Sequence, residues 1–216
     1  MDASELLKHY ASFYGPEAGP WNLSPECLFV DYKTRSFASA LLEQRFSDST
    51  RLKICNVGIG QGDWDIFLSY KIGSRGELTS VDISAEICET LRARLSIEEN
   101  PNVVHILNED INRTSLSPNT FDLVTIIGST VDEAGQEYRT LDSCLKLVRS
   151  GGILMYSDFG RNRSLSDFHR YASSRPVLLL DCEDLCGHSL PFYIVSLANE
   201  STGETCEGVA DAAHTR

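Results

Sequence analysis

The chain has 216 residues and a formal net charge of −12, because 31 acidic residues outnumber 19 basic ones. This length suits one domain with a modest appendage. Binding to nucleic acid usually needs a basic stripe, and the closest basic cluster, at 161–163, is short. No apolar run approaches the ~20 residues that span a bilayer, and the start lacks the pattern of a secretory signal. We therefore expect a cytoplasmic protein that binds neither nucleic acid nor membrane.

The seven cysteines are an odd number, and no two of them have CxxC spacing. Cys182 and Cys186 form the best-spaced pair for a metal ion, but no second pair of Cys or His would complete a site. We therefore expect free thiols in a reducing compartment, and no metal centre.

The predicted elements divide the chain into three parts. Residues 1–50 form a predicted helical cap or lid, with helices over 5–14 and 32–46 around an irregular Gly-Pro stretch. From 51 to 198, apolar runs alternate with helical patterns, which is typical of a parallel sheet covered by helices. The predicted strands are 52–57, 77–82, 102–107, 121–127, 152–157, 177–180 and 192–197, with helices starting at Asp63 and Ser84 and spanning 133–148 and 165–173. The last two strands fit a closing pair that gives an antiparallel edge, and 199–216 is a predicted flexible tail.

A glycine-rich turn follows the first predicted strand. Gly58, Gly60 and Gly62 lie between that strand and a helix. Glycine lets the backbone turn sharply and leaves no Cβ between main chain and ligand. The context favours a nucleoside-binding loop over a tight turn without a ligand. Asp82, at the end of the second strand, can accept both ribose hydroxyls, although it can also serve as an N-terminal charge for the helix at Ser84.

The neighbouring acids help to choose the nucleotide. The nicotinamide fingerprint GxGxxG has its third glycine where this chain has Asp63. Asp63 and Asp65 would also lie beside a pyrophosphate at the helix N-terminus, where like charges repel. S-adenosylmethionine has no phosphate and carries cations, so the acids favour it over NAD.

These residues resemble the class I (Rossmann-like) S-adenosylmethionine-dependent methyltransferases, over about 52–197. The three glycines fit the family's acid-x-GxGxG motif, and Asp82 and Asp110 fit its second and third acids. The resemblance implies an α/β fold with a seven-stranded, mostly parallel, doubly wound sheet that has one antiparallel edge strand. It implies that Asp82 holds the ribose, Ile83 packs on the adenine, and Asp110 and the Ile111 amide bind the adenine edge. The cofactor-binding set that we predict is Asn56, Gly58, Gly60, Gly62, Asp82, Ile83, Asp110, Ile111 and Gly128.

The leading acid of that motif is Asn56 in this chain. In the family this side chain helps to anchor the methionine part of the cofactor. Asparagine can still accept a hydrogen bond, but without the assistance of a charge we expect a weaker contact.

The acceptor site is less well defined by the sequence. The candidates for catalysis are Asp132, Glu133 and His169, and those for substrate binding are Tyr10, Tyr14, Trp21, Ser129, Asp158 and Arg161. Asp132 and Glu133 can equally be N-terminal charges of the next helix, and a lone His on a helix is commonly an ordinary polar residue. The three aromatic residues resemble a lid, or pack on the domain without touching a ligand.

We therefore predict methyl transfer from S-adenosylmethionine to a nitrogen or oxygen of a small molecule, with secondary metabolism as the setting that analogy favours. Three alternatives stay open: an aminopropyltransferase, a nicotinamide oxidoreductase, and a protein that binds S-adenosylmethionine without turnover. A general base is needed only if the methyl acceptor starts protonated. The oligomeric state is not predicted.

Overall fold

The computed structural model describes residues 25–128, 138–159, 164–188 and 190–200. The helices of this part are α1 (Pro25–Phe46), α2 (Asp63–Ile72), α3 (Ala85–Ile97), α4 (Arg139–Leu147) and α5 (Leu165–Ala172). The strands are β1 (Leu52–Val57), β2 (Gly76–Asp82), β3 (Val104–Asn108), β4 (Phe121–Ile127), β5 (Val148–Phe159), β6 (Val177–Asp184) and β7 (Phe192–Asn199). Within the described residues, no helix combines the length and the apolarity that crossing a bilayer requires.

The seven strands form one sheet in the order β3-β2-β1-β4-β5-β7-β6. Strands β1 to β5 pair in parallel, whereas β7 runs antiparallel to both β5 and β6. The predicted fold class is confirmed. The reversed strand itself lies one place inside the edge, and β6 forms the edge.

Helices cover both faces of this sheet. On one face, α1 and α2 pack on Ile54, Leu78, Leu123 and their neighbours. On the other face, α4 and α5 cover a core that includes Tyr156 and neighbouring side chains. Because the central strands are buried on both sides, β1 and β4 consist almost entirely of apolar and small polar residues.

Helix α1 belongs to the core of the sheet domain. Its buried residues, Leu41 and Leu42 among them, pack in the same cluster as β1. The helix begins at Pro25 rather than near 32, and proline suits the first turn of a helix because that turn leaves its amides without partners. The predicted helix over 5–14 and residues 201–216 lie outside the described residues. The division of the chain at residue 50 stays a prediction.

Two element boundaries differ from the predicted ones around Gly151. The helix predicted to reach Val148 ends at Leu147, and β5 begins at once instead of at 152. Gly151 has φ +70°, and a Cβ on Gly152 would lie 2.9 Å from the Asp122 carbonyl oxygen. The two glycines therefore permit an irregular start of β5, where its register against β4 shifts.

Candidate active site

The glycine loop lies between β1 and α2, at the carboxyl edge of the parallel strands. Gly58, Gly60 and Gly62 have φ of +83°, +56° and +81°, in the left-handed region that favours glycine. A Cβ on Gly62 would lie 2.9 Å from Leu91 Cδ1 of α3. The Gly58 amide donates to the Val81 carbonyl at 2.9 Å, which holds the loop against β2. The loop is therefore a tight turn that needs its glycines.

Asp82 joins this loop to β2 and α3. One carboxylate oxygen accepts a hydrogen bond from the Ile59 amide, and the other accepts one from the Ser84 amide, both at 2.8 Å. Ser84, not Asp82, is the N-cap of α3, and it accepts from the Ile87 amide. A carboxylate has about four acceptor positions, so Asp82 retains capacity for two hydroxyl groups.

The residues predicted to surround an adenine lie beside Asp82. The Ile83 side chain is 72% exposed, which is unusual for isoleucine and leaves an apolar surface for a planar ring. Asp110 accepts from the Asn112 amide at 2.9 Å and caps a short 3-10 turn, whose first residue, Ile111, is buried. Sequence reasoning missed Asn108, whose amide donates to the Ile83 carbonyl at 2.9 Å. Asn108 thereby fixes the backbone that presents Ile83.

Asn56 lies in a row of three polar residues that crosses the sheet. Ser80 of β2 and Thr125 of β4 are its neighbours in register, and all three are fully buried. The Thr125 hydroxyl donates to Asn56 Oδ1 at 2.9 Å, and Asn56 Nδ2 donates to the Gly58 carbonyl at 3.3 Å. The hydrogen-bonding groups of Asn56 are thus used inside the protein. Asn56 is thereby linked to the Gly58 backbone, and its predicted direct contact with a cofactor stays a prediction.

Asn56 Nδ2 also donates to the carboxylate of Asp65 at 2.9 Å. Burial raises the pKa of Asp65 to about 7, against the lowering effects of Ser80 and Asn56. Its Oδ2 has no hydrogen-bond partner among the described residues. The buried carboxylate that is bonded to Asn56 thus comes from α2 and not from β1.

The two acids of the first turn of α2 have different surroundings. Asp65 points into the protein, whereas Asp63 forms an ion pair with Arg94 of α3 at 2.7 Å. Arg94 therefore balances much of the negative charge of Asp63. The repulsion between Asp63 and a bound pyrophosphate would be weaker than the sequence suggested. Asp65 forms no ion pair among the described residues, so its carboxylate, bonded to Asn56, still disfavours a pyrophosphate in the loop whenever it is ionised.

The side of the sheet predicted to bind the methyl acceptor, called the acceptor side below, begins where β4 and β5 end. Gly128 has φ +80°, faces open space and donates its amide to the Ser157 carbonyl at 3.0 Å. Asp158 is 1% exposed and accepts from the Tyr156 hydroxyl at 2.5 Å and from the Phe159 amide at 2.6 Å. Burial and the Asp158 charge raise the pKa of Tyr156 far above its ordinary value. Tyr156 is therefore a permanent hydrogen-bond donor to Asp158.

A cleft opens at the same edge, between the start of α1 and the β6–β7 turn. It has a volume of about 170 Å³ and is lined by Pro25, Glu26, Phe29, His188 and Leu190. The Phe29 and His188 rings lie 4.9 Å apart, and Phe29 also contacts Phe192 edge-on. Because Phe192 pairs with Phe159 at the end of β5, the cleft lies beside the acceptor side of the sheet.

Of the other predicted residues, only His169 belongs to the part of the chain that the structure describes. His169 is exposed on α5, within electrostatic range of Asp184 of β6. The remaining candidates lie outside the described residues: Tyr10, Tyr14, Trp21, Ser129, Asp132, Glu133 and Arg161. Their roles stay predictions.

Comparison with known sequences agrees with this arrangement. Residues 54–152 match a family described as a methyltransferase domain. Over 104 residues the chain is 37% identical to the demethylmenaquinone methyltransferase of Staphylococcus aureus (strain MRSA252), a match that covers 48% of the chain and 42% of that relative. The chain thus spans less than half the length of the curated relatives that it matches.

Solved structures share the fold. The magnesium protoporphyrin IX methyltransferase from Synechocystis PCC 6803, solved with S-adenosylmethionine bound, has a TM-score of 0.69 at 13% identity, over 91% of this chain and 92% of that one. A S-adenosylmethionine-dependent methyltransferase from Aquifex aeolicus has a TM-score of 0.64 at 14% identity, over 92% and 99%. At these identities the likeness shows the fold alone. Together with the domain match, it shows that residues 54–152 are similar to a methyltransferase domain and lie in a fold shared with S-adenosylmethionine-dependent methyltransferases.

Proposed function

We propose that this protein transfers a methyl group from S-adenosylmethionine to a nitrogen or oxygen of a small molecule. The observation that carries the proposal is the joining of the glycine loop to Asp82 at 2.8 Å through Ile59. The loop leaves no room for a side chain at Gly62, Asp82 keeps acceptor capacity, and Ile83 offers an exposed apolar surface. These features fit an adenosine without a pyrophosphate.

The cofactor, when bound, supplies an activated methyl group on its sulfonium. In this proposal Asp82 binds the ribose, Ile83 packs on the adenine, and Asp110 with the Ile111 amide binds the adenine edge. Asn56 orients the Gly58 carbonyl by its hydrogen bond. The protein then has to position the acceptor and exclude water, which accounts for much of the rate enhancement in such a reaction.

The acceptor would lie beyond Gly128 and Asp158, with its bulk in the cleft beside Phe29 and His188. A cleft of about 170 Å³ suits a group of one or two rings, since an apolar cavity of ~150 Å³ accommodates benzene in another protein. We assign to Asp158 the role of a base that would take a proton from a hydroxyl or ammonium group, with its carboxylate held by the Tyr156 hydroxyl. Ser129 and Arg161 remain candidates for further contacts.

A second candidate reaction is methylation of a ring carbon of a hydroquinone. Its support is the 37% identity to a demethylmenaquinone methyltransferase over 104 residues, together with the aromatic lining of the cleft. Proton removal from a ring hydroxyl would raise the electron density at the neighbouring carbon, so the same base would serve both reactions. A cytoplasmic enzyme of secondary metabolism is the setting that we propose for the first candidate.

The test is release of S-adenosylhomocysteine from the purified chain with a panel of aliphatic amines, phenols and 1,4-naphthohydroquinone. Product mass and proton spectra separate N-, O- and C-methylation. Release with an amine or phenol supports the first candidate, and a C-methylated naphthoquinone supports the second. Methylthioadenosine formed from decarboxylated S-adenosylmethionine and a diamine would identify an aminopropyltransferase. Binding without release across the panel would point to a cofactor-binding protein.

The same assay tests the acceptor site with a matched pair of variants. Asp158→Asn is expected to lower turnover at least tenfold while leaving the affinity for S-adenosylmethionine within about twofold, since general-base catalysis contributes ~10²–10⁴-fold. Asp181→Asn, at an exposed position of β6, is the control and should be neutral. Equal turnover in the two variants would exclude Asp158 as the base.

A further inference from the structure

Asp65 is a buried carboxylate that bonds to Asn56, two residues before the first glycine of the loop. It is 0% exposed, and only one of its oxygens has a hydrogen-bond partner among the described residues. An acid buried in this way is costly for folding unless its charge is used, because desolvation penalises the ionised form. We therefore looked to the function of the site for a role that would favour a buried acid at this position.

The position of Asp65 follows from the register of the sheet. The row of Asn56, Ser80 and Thr125 precedes Gly58 and Asp82 by two residues on β1 and β2. Two residues along a strand span about 6.6 Å. Asp65 reaches this row from α2 and bonds to Asn56. One side chain, that of Asn56, therefore links the Asp65 carboxylate to the backbone of the loop.

The links from Asp65 to the loop are continuous. Asp65 accepts from Asn56 Nδ2, and the same amide group donates to the Gly58 carbonyl. Thr125 donates to the Asn56 oxygen, and the Trp64 indole donates to Thr125 at 3.1 Å. This network fixes the orientation of the Asn56 amide, so Asp65 receives its NH₂ group and never its oxygen. A carboxylate at position 65 thus aligns the amide that holds the first turn of the loop.

We propose that Asp65 is an anionic positioning residue for the cofactor, holding the loop through Asn56 and supplying a buried negative charge that favours a ligand carrying cations. The inference rests on the proposed cofactor and adds a residue to its site. The other nearby acids are less suited to this role. Asp63 is paired with Arg94, and both oxygens of Asp82 accept backbone amides.

Binding of a cation would favour the ionised carboxylate and release a proton near neutral pH, where Asp65 titrates. The titratable groups that face Asp65 are Asp82 from β2 and the Cys55 thiol from β1. Burial raises the pKa of Cys55, so this thiol is neutral. Arg94 on α3 forms ion pairs with Asp63 and Glu98 rather than with Asp65.

The experiment compares Asp65→Asn with the wild type by titration calorimetry, using three ligands that differ in charge. S-adenosylmethionine carries a sulfonium together with the ammonium and carboxylate of its amino-acid part, S-adenosylhomocysteine lacks the sulfonium, and 5′-methylthioadenosine carries none of these charges. A charge ~12 Å away at an effective dielectric constant of ~20 changes affinity by about tenfold. We expect Asp65→Asn to lose about tenfold for S-adenosylmethionine, the same or less for S-adenosylhomocysteine, and less than twofold for 5′-methylthioadenosine.

Two further variants separate charge from structure. Asp63→Asn, in the same helical turn, is the matched control and should leave all three affinities within twofold. The exchange variant, Asn56→Asp with Asp65→Asn, returns a carboxylate to the network and should restore most of the lost affinity. Titration of the wild type in two buffers of different ionisation enthalpy should show a proton release at pH 7 that Asp65→Asn lacks. Subtracting the proton release of the variant from that of the wild type removes the contribution of the cofactor's own amine.

Equal losses for all three ligands would mean a purely structural role and would overturn the proposal, as would unchanged affinities in Asp65→Asn. Failure of the exchange variant to bind better than Asp65→Asn would also overturn it. If the wild type binds none of the three ligands, the cofactor assignment fails and this inference fails with it. The wild-type titration therefore distinguishes the two failures.

Discussion

The carboxylate of Asp82 accepts a hydrogen bond from the backbone amide of Ile59 at 2.8 Å. This contact joins two segments that are 23 residues apart in the sequence, the end of β2 and the middle of the glycine loop. The same carboxylate accepts the Ser84 amide at the start of α3. One side chain therefore sets the position of the loop and of the neighbouring helix before any ligand binds.

Replacing Asp82 is expected to weaken cofactor binding through both of its roles. Asp82→Ala removes the acceptor for the ribose and frees the Ile59 amide, and hydrogen bonds to charged groups contribute about 1.5–3 kcal/mol each. We expect a loss of roughly 1–3 kcal/mol in titration calorimetry with S-adenosylmethionine. Glu86→Ala, in the exposed first turn of α3, is the control. An affinity for Asp82→Ala equal to that of the control would refute the assignment.

Two glycines with nearly the same φ separate backbone strain from packing. Gly62 and Gly128 have φ of +81° and +80°, but only Gly62 would place a Cβ near another group, 2.9 Å from Leu91 Cδ1. Gly128→Ala should lower the free energy of unfolding by about 1–2 kcal/mol from the left-handed backbone alone. Gly62→Ala should lower it by ~1–3 kcal/mol more, because of overpacking.

Urea unfolding of the two glycine variants measures this difference. Adding Leu91→Ala to Gly62→Ala gives room for the new methyl group, so part of the extra cost should disappear when Leu91→Ala alone is the reference. Equal destabilisation by Gly62→Ala and Gly128→Ala would contradict the packing of α3 against the loop.

Asp65 predicts a pH dependence of stability in the protein without cofactor. Its folded-state pKa is about 7, raised from 3.8. The unfolded chain loses this proton near pH 4, whereas the folded protein keeps it until about pH 7. Stability should therefore fall as pH rises between these values and then level off. Asp65→Asn removes the titrating group. Its free energy of unfolding should therefore rise relative to that of the wild type by a few kcal/mol between pH 4 and 8.

Unfolding by urea at a series of pH values measures the gain. Asp63→Asn, at a partly exposed ion pair, should follow the wild type within about 1 kcal/mol. Parallel pH profiles of wild type and Asp65→Asn would show that Asp65 is not titrating between its two states. A more stable variant that binds S-adenosylmethionine less well would show stability being given up for function.

Tyr156 and Tyr171 provide a matched test of buried hydrogen bonds. Tyr156→Phe removes the donor 2.5 Å from Asp158, which is 1% exposed, and should cost about 1–3 kcal/mol of unfolding free energy. Tyr171→Phe removes a donor to Asp142, but Arg175 still binds both oxygens of that carboxylate at 2.9 Å. Its loss should be smaller, about 1 kcal/mol. Thermal unfolding that gives the reverse order would contradict the buried state of Asp158.

The sequence predicted the sheet well because its central strands are short apolar runs that end at glycine or acid. The bounds of β1 and β4 are those predicted, and the start of α3 at Ser84 follows from its capping hydroxyl. The inward orientation of the Asp65 side chain was not predictable, because an acid in the first turn of a helix commonly faces solvent or ligand. Its burial depends on Asn56, which is nine residues away in the sequence and a neighbour only in the fold.

The acceptor side was predicted less completely for a similar reason. Asp158 could be found as an acid at the end of an apolar strand, but its hydrogen bond to Tyr156 depends on the side chains sharing one face of β5. The cleft combines Phe29 and His188, which are far apart in the sequence. Neither residue belongs to a motif, so only the packing of α1 against the β6–β7 turn brings them together.

We infer that the glycine loop and Asp82 hold S-adenosylmethionine rather than a dinucleotide. Titration calorimetry of the wild-type chain with S-adenosylmethionine and with NAD or NADP tests it most directly. We predict saturable binding of S-adenosylmethionine at one site and no binding of either dinucleotide at the same concentrations. Saturable binding of NAD or NADP, without binding of S-adenosylmethionine, would contradict the account.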